Sequence, residues 1–316
     1  MKIDVCIPTY RPGQEFLKLL DGLAVQSVPV QKIILINTEE KYFEGLVIGT
    51  DFYDRYKNIE AHHISVHEFD HGHTRNELRK HSDADIMIFM TQDAFPADDR
   101  LVEKLIEPLA KGAADISYAR QLASEDAGAA EQFTRGFNYP SEGRIKSLEN
   151  IDEMGIKTYF CSNACAAYKR ETFERYGNFI NHTIFNEDMI FAAGVIQGGG
   201  RIAYAAEAKV YHSHDYTNRQ QLKRNFDLAV SQAKHPEVFE GISSESEGIR
   251  YVKAAYAYFK EHKCRREIIP FIITCGYRYI GYRMGRNYRK LSAKTIMKHT
   301  MNRSYWNSEN ISSDIE

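Results

Sequence analysis

DIMIFMTQDA, residues Asp85–Ala94, is the stretch on which the fold turns. Its first six residues, Asp85–Met90, form the most strand-like run in the chain, and the pattern repeats on either side of it. Lys2–Ile7 (KIDVCI) reads as a buried strand stopped by Pro8, Lys32–Ile36 (KIILI) as a second, and Glu60–Val66 as a weaker third. Gly13–Gln26 carries Phe16, Leu19, Leu20 and Leu23 at helical spacing, and Thr74–His81 looks like a short helix. Asp98–Ala110 reads as a helix opened by Pro96 and an Asp cap, and Ala114–Arg120 as a further strand. Strands and helices in alternation predict an α/β chain, a Rossmann-like and mostly parallel sheet with helices on both faces. Ligands on such sheets sit beyond the carboxyl ends of the strands, which directs attention to Pro8–Arg11, Asn37–Glu40 and Thr91–Ala94.

Past this alternation the character changes. Ser124–Asn150 is rich in Gly, Ala, Glu and Ser with weak periodicity, and is expected to be a long surface loop or flap. Tyr159–Tyr168 is strand-like, Asp188–Gln197 an apolar helix, and Arg201–His212 alternates again. Gly198-Gly199-Gly200 lacks the Lys and Ser/Thr of a phosphate-binding loop and is read as a helix stop before a strand. Asn218–Lys234 and Glu245–His262 read as helices. The expected division is a sheet domain over residues 1–215 and a helical, basic extension over 216–316.

Composition narrows the function. With 43% hydrophobic and 27% charged residues in 316, the chain is neither disordered nor a polytopic membrane protein. Its longest stretch without a charged residue, Met189–Gly200, is twelve residues, short of the ~20 a spanning helix needs. The N-terminus shows no secretory pattern, and five cysteines suit reduced thiols, so a cytoplasmic location is expected. Net charge is −2, yet Lys263–Arg303 holds eleven Lys/Arg against the single acid Glu267, a local +10 on an otherwise acidic chain. Within it, Ile268–Tyr277 is uncharged, bordered by Arg265, Arg266, Arg278 and Arg283 and interleaved with tyrosines. A helix of that kind can lie on an anionic membrane surface; packing on the sheet domain or pairing with a second copy of the chain are the other options. A nucleic-acid partner is disfavoured, because the basic residues sit at one end beside an apolar stretch.

Four groups could carry chemistry. Asp93, after the strongest strand, could hold a hard divalent cation or simply cap the next helix. Glu187-Asp188 opens an apolar helix, where acids suit the helix dipole but could equally supply a general base. His212-Ser213-His214 could complete a metal site begun by Asp93. His71-Gly72-His73-Thr74-Arg75-Asn76 brings helix-start amides and a guanidinium together, a combination suited to phosphate or a nucleotide edge. Six histidines between His62 and His81 match no zinc spacing.

Taken in order, these pieces resemble family 2 glycosyltransferases, and within them the bacterial rhamnosyltransferases. Pro8-Thr9-Tyr10 resembles the family's opening P-T-Y, and Phe69–Asn76 its F-x-H-G-x-T-R-N. Thr91-Gln92-Asp93-Ala94 resembles T-Q-D-A, Glu187-Asp188 the E-D motif, and Gly281–Arg286 the G-Y-x-x-G-R segment. The resemblance spans about residues 3–290. It implies a GT-A fold, a nucleotide-sugar donor with dTDP-L-rhamnose expected, inversion at the anomeric carbon, and Mg2+ or Mn2+. By position, Asp93 and His214 would hold the cation, and Asp188 would be the base with Glu187 beside it. Pro8, Thr9, Tyr10, Arg11, Asn37, Arg75, Thr91 and Gln92 would line the nucleotide pocket. The acceptor implied is a saccharide on a lipid carrier in cell-surface (cell-wall) polysaccharide synthesis. Two departures stand out: Asn37 where many relatives have Asp, and Gln92, which leaves the metal motif one carboxylate fewer.

Overall fold

A computed structural model describes residues 1–213, 216–240 and 245–306. The chain opens β1 (Ile3–Tyr10), α1 (Gln14–Ala24), β2 (Lys32–Thr38), α2 (Lys41–Val47), α3 (Phe52–Arg55) and β3 (Ile59–Ile64). It continues through α4 (His71–Lys80), β4 (Ile86–Met90), β5 (Phe95–Pro96), α5 (Leu101–Ala110) and β6 (Ile116–Leu122). Next come α6 (Ala129–Asn138), β7 (Arg144–Lys146), α7 (Ile151–Met154), β8 (Cys165–Lys169), α8 (Arg170–Tyr176), α9 (Glu187–Gln197) and β9 (Ile202–Tyr211). The last part is helical: α10 (Asn218–Lys234), α11 (Pro236–Phe239), α12 (Glu245–Glu261), α13 (Ile268–Arg286) and α14 (Ala293–His299).

The strands form one sheet in the order β3-β2-β1-β4-β8-β6-β9-β5, with β7 added on β9. β3, β2, β1 and β4 pair in parallel. β8 runs antiparallel between β4 and β6, so β6, and β9 parallel to it, again follow the direction of β1. The direction is thus mostly parallel, as the alternation of elements required.

Strand periodicity explains how β4 can be buried throughout. Ile86, Ile88 and Met90 face a core closed by α1 and α5 through Phe16, Leu19, Leu20, Leu105 and Leu109. Met87 and Phe89 point the other way, into a core with Leu78 of α4, Phe173 of α8 and Val195 of α9. Each fully buried side chain of this size contributes roughly 1.5–3 kcal/mol. Val238 and Phe239 of α11 join that second core, so the helical end is fastened onto the sheet.

Within the helical end, α10 and α13 meet backbone to backbone. A Cβ on Gly281 would lie 2.1 Å from the Leu222 carbonyl oxygen, and one on Gly285 2.3 Å from that of Phe226. The buried Asp227 of α10 then holds the chain's exit: its carboxylate accepts from Thr300 Oγ1 and the Met301 amide, both at 2.7 Å.

Several boundaries differ from the sequence reading. β1 does not stop at Pro8 but runs on to Tyr10; its β4 pairing ends at Cys6, so Pro8's missing N–H falls beyond that ladder. α5 begins at Leu101, because Pro96 is taken up in β5 and the Asp98 carboxylate accepts the Arg100 amide ahead of the helix. Only Cys165–Lys169 of the stretch from Tyr159 is strand. The expected loop Ser124–Asn150 contains α6 and β7. Phe133 of α6 is buried against Phe259 and Phe271, partners more than a hundred residues later that no local periodicity discloses.

Gly281→Ala and Gly285→Ala should each lower stability by ~1–3 kcal/mol through overpacking. Gly276→Ala, where a Cβ meets nothing within 4 Å, should raise it by up to ~1 kcal/mol through helix propensity. Urea unfolding midpoints measure both, and unchanged midpoints in the first two variants would refute the backbone contact.

Candidate active site

The carboxyl ends of β1, β2 and β4 are tied together by side chains. The Tyr10 amide donates to Gln92 Oε1 at 2.9 Å, and Gln92 Nε2 donates to the Tyr10 carbonyl at 3.0 Å. Thr9 Oγ1 donates to Asn37 Oδ1 at 3.2 Å, while Asn37 Nδ2 donates to the Glu39 carbonyl and faces His63 Nδ1. Asn37 and Gln92 therefore spend their amides on the chain itself, and Pro8 sits within the β1–β2 ladder opposite Ile36. Past them the backbone turns out at Arg11, whose φ is +50°. Its guanidinium lies 4.6 Å from the Tyr42 ring centre and 5.1 Å from that of the exposed Tyr10, making a cationic, aromatic rim. Thr91 donates its amide to the Ala164 carbonyl, its buried hydroxyl has no hydrogen-bond partner among the described residues, and Asp93 follows with a half-exposed carboxylate.

The second half of the site is built on α9 and α4. Asn186 adopts a left-handed φ of 65°, which Asn tolerates, and so turns the chain sharply into Glu187-Asp188. Glu187 Oε1 pairs with the Arg75 guanidinium at 3.1 Å, both side chains being more than 90% buried. Arg75 reaches it because α4 starts close to the loop before α9: a Cβ on Gly72 would fall 1.7 Å from the Ile180 carbonyl oxygen, so only glycine fits. Asn76 fastens the same loop, donating to the Phe179 carbonyl and accepting the Phe179 amide. The amides of Gly72 and His73 at the start of α4 are both taken by the Asp70 carboxylate.

Asp188 Oδ2 accepts the Asn163 amide at 2.9 Å and Oδ1 its neighbour Met189's at 2.8 Å. Burial, then the charge of Glu187, pushes the Asp188 pKa up to about 7. Burial also pulls on Glu187 in that direction, but Arg75 and then His71 outweigh it and hold Glu187 below the usual carboxylate range. One acid is fixed as an anion, while its neighbour titrates near neutrality.

A chain of contacts joins the two halves. Asn163, which holds Asp188, precedes Ala164, which holds Thr91, two residues before Asp93. Ser162 accepts from Gln121 Nε2 at 2.9 Å, and Gln121 Oε1 lies 2.8 Å from His212 Nδ1. His212 Nε2 in turn lies 3.5 Å from Asp93 Oδ1. The structure thus places His212 on Asp93; His214 lies outside the described residues. Burial of Ala208, Val210 and His212 at alternate positions is a strand signal that marks His212 as inward-facing. From beneath, the buried Lys146 donates to the carbonyls of Lys157 and Phe160 and so braces the approach to loop 162–164. Burial pulls its pKa down to about 7. Arg224 of α10 stands over Phe185 at 4.7 Å, near enough for its charge to bear on His71 and Tyr139. Asn163, Gln121, Lys146 and Arg224 carry no motif in the sequence.

Away from this site, Glu60, His62 and His81 gather their ligand atoms within 4.8 Å of one another. The two rings are stacked at 3.7 Å and 23°, so no ion near them can lie in both ring planes, and Lys32 already pairs with Glu60 at 3.6 Å. This is an ion-pair cluster in its present geometry.

The family model for glycosyl transferase family 2 matches residues 4–177. Over its whole length the chain is 37% identical to an O-antigen chain rhamnosyltransferase of Salmonella typhimurium, RfbN, covering 99% of that protein. It is 36% identical to the O-antigen chain rhamnosyltransferase WbaN of Salmonella anatum, across 86% of this chain and 88% of that one. Among solved structures, the Pyrobaculum calidifontis mannosyltransferase PcManGT in complex with GDP-Man and Mn2+ superposes with a TM-score of 0.62 at 12% identity, covering 92% of this chain and 88% of that one. TarS of S. aureus does so at 0.52 and 14%, covering 92% of each chain. These two share the GT-A fold. The family model over residues 4–177 and relatives that are rhamnosyltransferases at 37% and 36% identity place this chain in glycosyl transferase family 2, as a glycosyltransferase of its bacterial rhamnosyltransferase branch.

Proposed function

We propose that the chain transfers L-rhamnose from dTDP-L-rhamnose, with inversion, to a saccharide on a lipid carrier during cell-surface polysaccharide synthesis. The observation that carries this reading is the buried Glu187–Asp188 pair: Glu187 is held as an anion by Arg75 at 3.1 Å, and Asp188, gripped by two amides, has its pKa raised by burial and by Glu187. An acceptor hydroxyl is a poor nucleophile, and a carboxylate titrating near neutrality is matched to take its proton as the oxygen attacks the anomeric carbon. The Asn163 and Met189 amides hold the Asp188 oxygens in place. A single displacement needs one base and no covalent nucleophile. The rhamnosyltransferase relatives at 37% and 36% identity support the donor sugar.

Departure of the nucleotide leaves a diphosphate whose growing charge must be met. Asp93 Oδ1 and His212 Nε2 fit a divalent cation. Gln121 Oε1 lies 2.8 Å from His212 Nδ1 and turns Nε2 toward Asp93 Oδ1 at 3.5 Å, an imidazole nitrogen and a carboxylate oxygen of the kinds that hold such a cation. His214 remains a second imidazole for the same role. Mg2+ or Mn2+ bound there would neutralise the leaving diphosphate. Arg224 is placed to add positive charge, and the Tyr10–Arg11–Tyr42 rim offers stacking for the nucleotide base.

Donor turnover across dTDP-, UDP- and GDP-sugars should favour dTDP-L-rhamnose; a clear preference for a UDP-sugar would overturn that assignment. Asp188→Asn should lower kcat by roughly 10²–10⁴-fold with the Kd for dTDP unchanged. The acid limb of kcat/KM in the wild type should fall near the Asp188 pKa of about 7. Glu187→Gln removes the anion that raises this pKa, so the limb should move to lower pH. A limb that stays put in a folded Glu187→Gln enzyme argues against Asp188 as the titrating base. Arg75→Met leaves Glu187 buried without its cation and should cost ~3–5 kcal/mol in denaturant unfolding.

A further inference from the structure

α13 is apolar on two opposite sides, and among the described residues only one of them is covered. Phe271, Gly281 and Gly285 are buried in the seam against α10, α12 and α6. Half a turn away, Ile269, Ile272, Ile273 and Ile280 are 70, 51, 48 and 51% exposed. At 100° per residue these four fall within one stripe about 100° wide, broken only by Gly276 and ending on Arg283. On α12, Ile249 and Tyr256 are exposed as well, and between the two helices runs a groove of about 370 Å³ walled by Val252, Tyr256, Ile268 and Ile272. Leaving four isoleucines in water forgoes the stabilisation their burial would bring, which marks the stripe as a contact surface.

Charge selects the occupant. Lys260, Lys263, Arg265 and Arg266 are exposed at one end of the stripe, and Arg283 and Arg286 at the other. A second copy of the chain seated on this face would bring two such collars together, each from a segment carrying +10. An anionic lipid surface reverses the sign of that interaction, with headgroups meeting the collar and acyl chains meeting the isoleucines. We propose that the α12–α13 face docks on the surface of anionic membranes, with the axis of α13 in the plane of the lipid. The described residues contain no helix long and apolar enough to cross a membrane, and this mode of attachment needs none. Gly281 abuts Leu222, two residues from Arg224, so α13 and α10, each about 10 Å thick, stand between the docked face and the Arg224 side of the site. Docking itself does not depend on the identity of the donor.

The test is co-sedimentation of the full chain with vesicles of phosphatidylcholine, with and without phosphatidylglycerol. Binding should require phosphatidylglycerol and weaken as salt is raised. Ile272→Glu with Ile273→Glu, and separately Arg265→Glu with Arg266→Glu, should each cut partitioning at least about tenfold. Soluble donor turnover in both variants should equal the wild type, which separates lost docking from lost folding or a wrong donor. The proposal is overturned if the wild type ignores anionic vesicles, or if the isoleucine variant binds them as well as the wild type. It is equally overturned if sedimentation shows a wild-type dimer that the isoleucine variant converts to monomer while vesicle binding is unaffected.

Discussion

The buried pairing of Arg75 with Glu187 is the constraint around which the half of the candidate site that carries the acid pair is arranged. An isolated charge in that position would be too costly to keep, so guanidinium and carboxylate must be delivered together, one from α4 and one from α9. That requirement explains the glycine at 72, which lets the two segments touch, and the left-handed turn at Asn186, which aims the acid inward. It also explains why adjacent acids can behave so differently. Glu187 has a cation of its own, whereas Asp188 has two amides and a neighbouring anion, and the second environment favours the proton.

The helical end of the chain is a wall of the site as well as an appendage. α10 supplies Arg224 over Phe185, and its Ser231 hydroxyl donates to the Phe185 carbonyl just ahead of the acid pair. α13 holds α10 by direct backbone contact, and α6 inserts Phe133 into the cluster that α12 and α13 form. From the same α6, Arg135 donates to Gln121, the residue that orients His212. The segment that reads as a loose flap is therefore a strut between the helical end and the edge of the cleft.

Much of the sheet was legible because its signals are local. The short, continuously buried apolar runs of β1, β2 and β4, and the apolar stripes of α1 and α5, need no partner to be recognised. α6 was not, since Phe133 finds its neighbours in helices that follow more than a hundred residues later. In the site, Asp93, Glu187 and Asp188 stand out as acids at the ends of elements. Asn163 acts chiefly through a backbone amide that any residue would supply, and Lys146 through carbonyls across a loop, so neither leaves a trace in composition or spacing. Arg75 is conspicuous in the sequence as a cation at a helix start, but that it would face an acid on another helix is knowable only once the chain is folded.

Two carboxamides in this structure imitate strand neighbours. Gln92 engages both the N–H and the C=O of Tyr10, and Asn76 does the same to Phe179, so each completes a miniature ladder with a single residue. Such a pairing demands a donor and an acceptor on one planar group, which an ionised carboxylate of identical shape cannot offer. Spontaneous deamidation, which exchanges an NH2 for an oxygen, would set two acceptors face to face at either place. The second position of the T-Q-D-A motif is thus closed to carboxylates by backbone architecture, and the cleft's negative charge is capped by the way its walls are sewn.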